Sequence, residues 1–140
     1  MKPAITNKTL AQSYRIKAEK RLKILEVLLN EEAYSDVIRE AQEIVELPLK
    51  GIPRQVGIEP PKWHDVGGAL REYSERLPVP IRSDVDRLAG ISAWLRKERE
   101  FSCYGDINFI PIEEYGRDDA SRAIEDARLV CSAAARVIRA

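Results

Sequence analysis

Apolar residues recur along most of this chain at spacings of three and four rather than alternately, the pattern of helices packed on one face. From Thr6 to Asn30, the residues Leu10, Ala11, Tyr14, Ala18, Leu22, Leu25 and Leu29 share one arc, while Lys8, Arg15, Lys20 and Lys23 lie elsewhere. Glu19 and Glu26 interrupt that basic outer face, so it reads as a solvated surface. Asn30 followed by Glu31 and Glu32 reads as a stop and a new start, because Asn tolerates the C-cap conformation and acids favour a helix N-terminus. So short a connection predicts two antiparallel neighbours.

A second helix is expected from Glu32, with Val37, Ala41, Ile44, Val45 and Ile52 on one arc. Pro48 falls in the same arc and predicts a kink or break near Leu47, with Pro53 as a second irregularity. The run from Gly57 to Pro61 is a loop, since residues before proline avoid helical geometry. A third helix is predicted over Val66 to Arg76, closed by Leu77-Pro78-Val79-Pro80. Ser83 and Asp84 then cap a fourth, which runs through Leu88, Ile91, Trp94, Leu95 and Phe101 toward Tyr104, with Gly105 at the stop. Gly105 to Gly116 reads as a loop carrying Asp106, Asn108, Pro111, Glu113 and Glu114. Asp118-Asp119 starts a last helix whose apolar face runs from Ala120 to Ile138, with many small residues that allow a close neighbour. The expected fold is all-α: an antiparallel up-and-down bundle of four to five helices, in a single domain over residues 1–140.

Composition narrows the function classes. The chain has 140 residues, 44% of them hydrophobic, and 23 Lys+Arg balance 23 Asp+Glu. That excludes both a disordered tail and a uniformly basic nucleic-acid binder, so phosphate binding requires a local patch. Cys103 and Cys131 have no CxxC spacing, and His64 is the only histidine, so neither a metal site nor a disulfide framework is expected. Cys131 falls on an apolar face and reads as inert core. No cofactor is expected. No apolar run approaches the roughly 20 residues that cross a bilayer, and the N-terminus lacks a signal-peptide core, so the expected location is the cytoplasm, with no membrane partner.

Polar chemistry is densest from Arg96 to Asp106 (Arg-Lys-Glu-Arg-Glu-Phe-Ser-Cys-Tyr-Gly-Asp). Glu98 falls in the middle of the apolar arc, between Leu95 and Phe101. A carboxylate there either meets a cation from another helix, binds a ligand, or faces a cleft or a subunit interface. Arg96, Lys97 and Arg99 also suit the negative end of a helix dipole. His64 titrates near neutrality and could serve as a general base, but it stands beside Asp65, a good N-cap, so Trp63-His64-Asp65 also reads as a capping and packing unit. Gly67-Gly68 has no preceding strand and no lysine in Walker spacing, and makes a weak phosphate nest.

Tyr34 to Lys50, the proline loop and His64-Asp65 together resemble the second helix and following loop of prokaryotic HEPN domains. In that family the helix usually reads A-x-E-x-x-x-K-A-L; Glu46 and Lys50 match its spacing, while Pro48 and Gly51 depart from it. The resemblance extends from Leu10 to Ile138. The family's functional signature is an arginine, often a polar residue, a short spacer and a histidine. Arg99 and Glu100 stand in the first two positions, and Tyr104 stands where the histidine belongs. The branch that looks most similar is the archaeal and bacterial one related to the C-terminal domain of sacsin, whose arginine-rich helix ends in Tyr-Gly. The resemblance implies a homodimer in which two motifs meet, and a minimal nucleotidyltransferase as partner in a toxin–antitoxin pair.

The substitution bears on mechanism. Metal-independent RNA cleavage needs a base for the 2′-hydroxyl proton and an acid for the leaving oxygen, and tyrosine, with an ordinary pKa of about 10, serves poorly as either. Arg99 can still grip a phosphate, and Tyr104 can stack on a base. The expected function is therefore binding of a nucleotide or RNA through Arg96, Arg99, Tyr104 and Asp106, without efficient catalysis. The alternatives are a ribonuclease toxin using Arg99, Glu100 and Tyr104, or recruiting His64, and a purely structural interaction module. Five residues turn an ideal helix by about 500°, which leaves Arg99 and Tyr104 roughly 140° apart. They can share a ligand only if the helix loosens at its end or a second subunit completes the site.

Overall fold

Helix α1 (Asn7–Asn30) begins where two threonines satisfy each other's backbone: the Thr6 hydroxyl accepts from the Thr9 N–H at 3.1 Å, and the Thr9 hydroxyl accepts from the Thr6 N–H at 2.8 Å. The computed structural model describes residues 5–60, 66–103, 110 and 114–139. Among these there are six α-helices and no strand. After α1 come α2 (Tyr34–Gln55), α3 (Val66–Glu72), a 3-10 turn at Ser74–Arg76, the single-turn α4 (Val79–Arg82), α5 (Val85–Cys103) and α6 (Arg117–Val137). Trp63, His64 and Asp65 lie outside the described residues, as does most of the loop expected between Gly105 and Gly116.

The elements differ from expectation at three points, each with a local cause. The left-handed residue that turns α1 into α2 is Glu32, with φ 58°, rather than Asn30, and α2 starts at Tyr34. The third expected helix ends at Glu72, where the chain tightens into the 3-10 turn. Leu77 to Pro80 also does more than close it, because Pro80 sits in the first turn of α4, where its missing N–H costs nothing. Finally, α2 runs through Pro48 and Pro53 as one helix, so of the kink or break expected near Leu47 the break does not occur. A proline inside a helix costs about 3 kcal/mol. Val45, Leu49 and Ile52, on either side of Pro48, are buried to 1% exposure or less, and burying each such side chain contributes about 1.5–3 kcal/mol. Packing outweighs the defect.

Cross-helix contacts fix the directions. Arg54, at the end of α2, donates to Asn7, at the start of α1, while Arg21 reaches Glu40 and Glu43 in mid-helix, so α1 and α2 are antiparallel. Glu43 meets Arg99 and Glu46 meets Arg96, so α2 and α5 are antiparallel. Trp94 bonds Asp126, and Glu98 bonds Tyr115 just before α6, which makes α5 and α6 antiparallel as well. The four long helices therefore run up, down, up and down.

The bundle is flattened along one diagonal. Helices α2 and α6 run parallel, Tyr34 beside Arg117 at one end and Gly51 beside Ile138 at the other, and they pack far more extensively than the neighbours α5 and α6 do. Side-chain size explains this: α6 buries Ala120, Ala123, Ala127, Ala133 and Ala134. The large aliphatic side chains of α2, Ile38, Ile44, Leu49 and Ile52, are buried in the same core. Helix α2 is thus enclosed by α1, α5 and α6, while α3 rests on α5. Gly67 allows that last contact, since a Cβ there would lie 3.0 Å from Ala89 Cα. That close approach is a packing reason for glycine here, independent of any phosphate nest.

Candidate functional site

Helix α5 carries polar side chains on two faces, toward α2 and toward α6. On the α2 side, the Arg99 guanidinium donates to Glu43 Oε1 at 3.1 Å, and Arg96 Nε lies 3.8 Å from Glu46 Oε1. Both arginines keep more than two-fifths of their side-chain surface exposed. Helix α1 adds Arg21, which donates to Glu43 Oε2 at 2.9 Å and to Glu40. Helix α2 adds Arg39, at 3.9 Å from Glu43, and Lys50, at 3.9 Å from Glu46. Among the described residues, five cations from three helices thus gather around three carboxylates, in a chain whose formal net charge is zero.

Glu43 is the hub. Partial burial by itself would raise its carboxyl, but the hydrogen bonds from Arg99 and Arg21 and the charge of Arg39 outweigh that and hold it below the usual glutamate range. Arg21 answers in the opposite sense: burial acts to lower it, yet Glu43 and Glu40 hold it above its ordinary value. Arg39, Arg96 and Arg99 are the more exposed members, and exposed ion pairs contribute at most about 1 kcal/mol each. Arg21, Glu40 and Glu43 are each more than two-thirds covered.

On the α6 side lies a cleft of about 220 Å³ lined by Trp94, Glu98, Tyr115, Asp119 and Arg122. Here Glu98 finds its partner. Of the surroundings expected for it, a cleft is what it faces, and its partner is not a cation: Oε2 accepts from the Tyr115 hydroxyl at 2.7 Å. Burial first, and the Glu98 carboxylate second, push the Tyr115 phenol well above its ordinary pKa of 10.0. The Trp94 indole N–H donates to Asp126 at 2.8 Å, and the Arg122 guanidinium stacks 4.1 Å from the same ring. These contacts tie α6 to α5 where aliphatic packing between them is thin.

Of the residues singled out from sequence, Arg96 and Arg99 come together on one face. Glu100 lies in α5, its side chain outside the described set, and Tyr104, Asp106 and His64 lie outside the described residues altogether. Helix α5 continues through Cys103, so no loosening occurs up to that residue. Arg21, Arg39, Glu40 and Glu43 were not foreseen as site residues. The signal was present in Glu40, Glu43 and Glu46, three acids at intervals of three along α2 that form a ridge able to meet a basic helix.

Among the described residues no group of side chains is arranged to hold a metal ion, and no helix is long and apolar enough to cross a membrane. Residues 11–137 match the family model of the HEPN domain. The match concerns the domain as a whole, not the sacsin-related branch. No curated protein and no solved structure matches the chain.

Proposed function

The chain belongs to the HEPN domain family, and from that premise we propose that it binds a nucleotide or RNA through the cationic surface that Arg96 and Arg99 share with α1 and α2. The observation that carries this reading is the gathering of Arg21, Arg39 and Arg99 from three helices at one place, with Arg96 and Lys50 beside them. Guanidinium groups grip phosphate oxygens through charge-assisted hydrogen bonds, and several on one surface give a nucleic acid a track in an otherwise neutral protein. In this reading Arg96 and Arg99 hold phosphate, Tyr104 stacks on a base, and Asp106 accepts from a base or sugar.

Efficient cleavage is not part of the proposal, because Tyr104 stands at the position of the motif histidine and is a poor proton shuttle near neutrality. The regularity of α5 through Cys103 favours the second route to a shared ligand, in which Tyr104 of one copy reaches the phosphate held by Arg99 of another. A homodimer is proposed on that ground, and sedimentation equilibrium tests it. A minimal nucleotidyltransferase remains the partner that family resemblance suggests.

The deciding experiment incubates the purified protein with end-labelled RNA at low salt. Binding without cleavage, weakened at least roughly tenfold by Arg99→Ala, is the expected result. Cleavage abolished by Arg99→Ala would replace this proposal with a metal-independent ribonuclease. Neither binding nor cleavage, with no stabilisation by nucleotides, would leave an interaction module.

A further inference from the structure

Three guanidinium groups, one from each of three helices, converge on a single carboxylate. Glu43 Oε1 takes Arg99 at 3.1 Å and lies 3.9 Å from Arg39, and Oε2 takes Arg21 at 2.9 Å. Among the described residues, the anion that these guanidinium groups meet comes from α2. A carboxylate is a two-oxygen anion of single charge, whereas a terminal phosphate monoester offers three peripheral oxygens and about 1.5 to 2 negative charges near neutral pH. An internal phosphodiester offers two free oxygens and one charge, no more than Glu43 already provides.

We infer that Glu43 occupies the seat of a terminal phosphate monoester and competes with the ligand for Arg21, Arg39 and Arg99. The inference rests on the binding function proposed above and names the part of the nucleic acid that the site selects. Because Glu43 is tethered to α2, it is present at its own seat at an effective concentration of millimolar order or more. A singly charged phosphodiester does not displace it. A dianionic end does, since it gains one more oxygen and more charge from the same three cations. The pairs that Arg39 and Arg99 open are the more exposed ones and weak, and a phosphate in the seat restores an anion to the less exposed Arg21. Freed from the cations, Glu43 needs only to swing toward solvent, where about a quarter of its side chain already lies.

The test compares one short RNA carrying either a 5′-phosphate or a 5′-hydroxyl, measured by fluorescence anisotropy on the wild type and on Glu43→Gln, Glu46→Gln and Arg99→Ala. The wild type should prefer the 5′-phosphorylated RNA by roughly tenfold, the worth of one charge-assisted hydrogen bond. Glu43→Gln should strengthen binding of the 5′-phosphorylated RNA by roughly fivefold or more and that of the hydroxyl RNA by less. Glu46→Gln makes the same change in net charge away from the seat and should raise both by equal, smaller factors. Equal affinity of the wild type for the two RNAs overturns the inference, as does a Glu43→Gln variant that binds no better than the wild type. If Arg99→Ala leaves binding unchanged, it is the proposed binding surface that fails. Should Glu43→Gln fold poorly, Glu43→Asp retracts the carboxylate by one methylene and must show a gain of the same sign, or the inference falls.

Discussion

Gly67 and Gly90 both lie in helices at or near the α3–α5 contact, and alanine should have opposite effects at the two. A Cβ on Gly67 would stand 3.0 Å from both Ala89 Cα and Ala89 Cβ and 3.1 Å from Ala89 O, while one on Gly90 would meet nothing within 4 Å. The atoms facing Gly67 belong to the body of α5, not to the end of a flexible side chain, so relief requires α3 to shift as a unit. Overpacking of this kind costs about 1–3 kcal/mol. Replacing glycine by alanine inside a helix returns about 0.5–1 kcal/mol. The net expectation is a loss of up to about 2.5 kcal/mol for Gly67→Ala and a gain of about 0.5–1 kcal/mol for Gly90→Ala, so the two variants differ by the overpacking cost of about 1–3 kcal/mol. At roughly 3–5 °C per kcal/mol for a domain of this size, the melting temperature of Gly67→Ala should lie roughly 3–15 °C below that of Gly90→Ala. Urea titrations followed by circular dichroism measure the same difference, with an unchanged m-value as evidence that only native-state packing altered. If Gly67→Ala proves as stable as Gly90→Ala, α3 does not approach α5 as described. If it folds normally but loses RNA binding, the glycine pair is a phosphate cradle after all.

Tyr115→Phe should cost about 1–2 kcal/mol by leaving a partly buried Glu98 carboxylate without its donor. Because the native Tyr115 phenol is held above the 10.0 of the unfolded chain, its contribution is complete below pH 10 and is lost as pH rises from there toward the native value; the stability gap between wild type and Tyr115→Phe should narrow over that range, and a constant gap would refute the assignment. Cys131 is buried, and burial pushes its thiol up to about 12, so in a Cys103→Ser background a thiol reagent at pH 8 should react only as fast as the protein unfolds; rapid native-state labelling would contradict its place in the core.

The helices were legible in the chain because their apolar arcs are local: Ala11, Ala18 and Leu25 all fall on the arc read from α1 and are buried. What the chain hid was non-local. Nothing near Pro48 announces that α2 will be enclosed by three other helices, and that enclosure is what lets a helix carry two prolines. Glu98 was marked as anomalous by its position on the wheel, but its partner Tyr115 lies beyond the end of α5 and could not be inferred from periodicity. The site shows the same split. Arg96 and Arg99 stand out within a dense local run, whereas Glu43 acquires its meaning only when Arg21 and Arg99, far apart in sequence, are brought to its two oxygens.

The enclosure of α2 also sets a burden on synthesis. The α1–α2 hairpin is complete once Gln55 has been made, and it covers one side of α2 at once. The sides that meet α5 and α6 must wait for those helices, and at ordinary translation rates that wait is on the order of ten seconds. For that interval the nascent chain displays a long helix with part of its apolar surface open to water, at the stage when aggregation and chaperone capture compete with folding. The ridge of Glu40, Glu43 and Glu46 is already in place during the wait and gives that helix one charged edge, which Arg21 of α1 meets at once and Arg96 and Arg99 meet later.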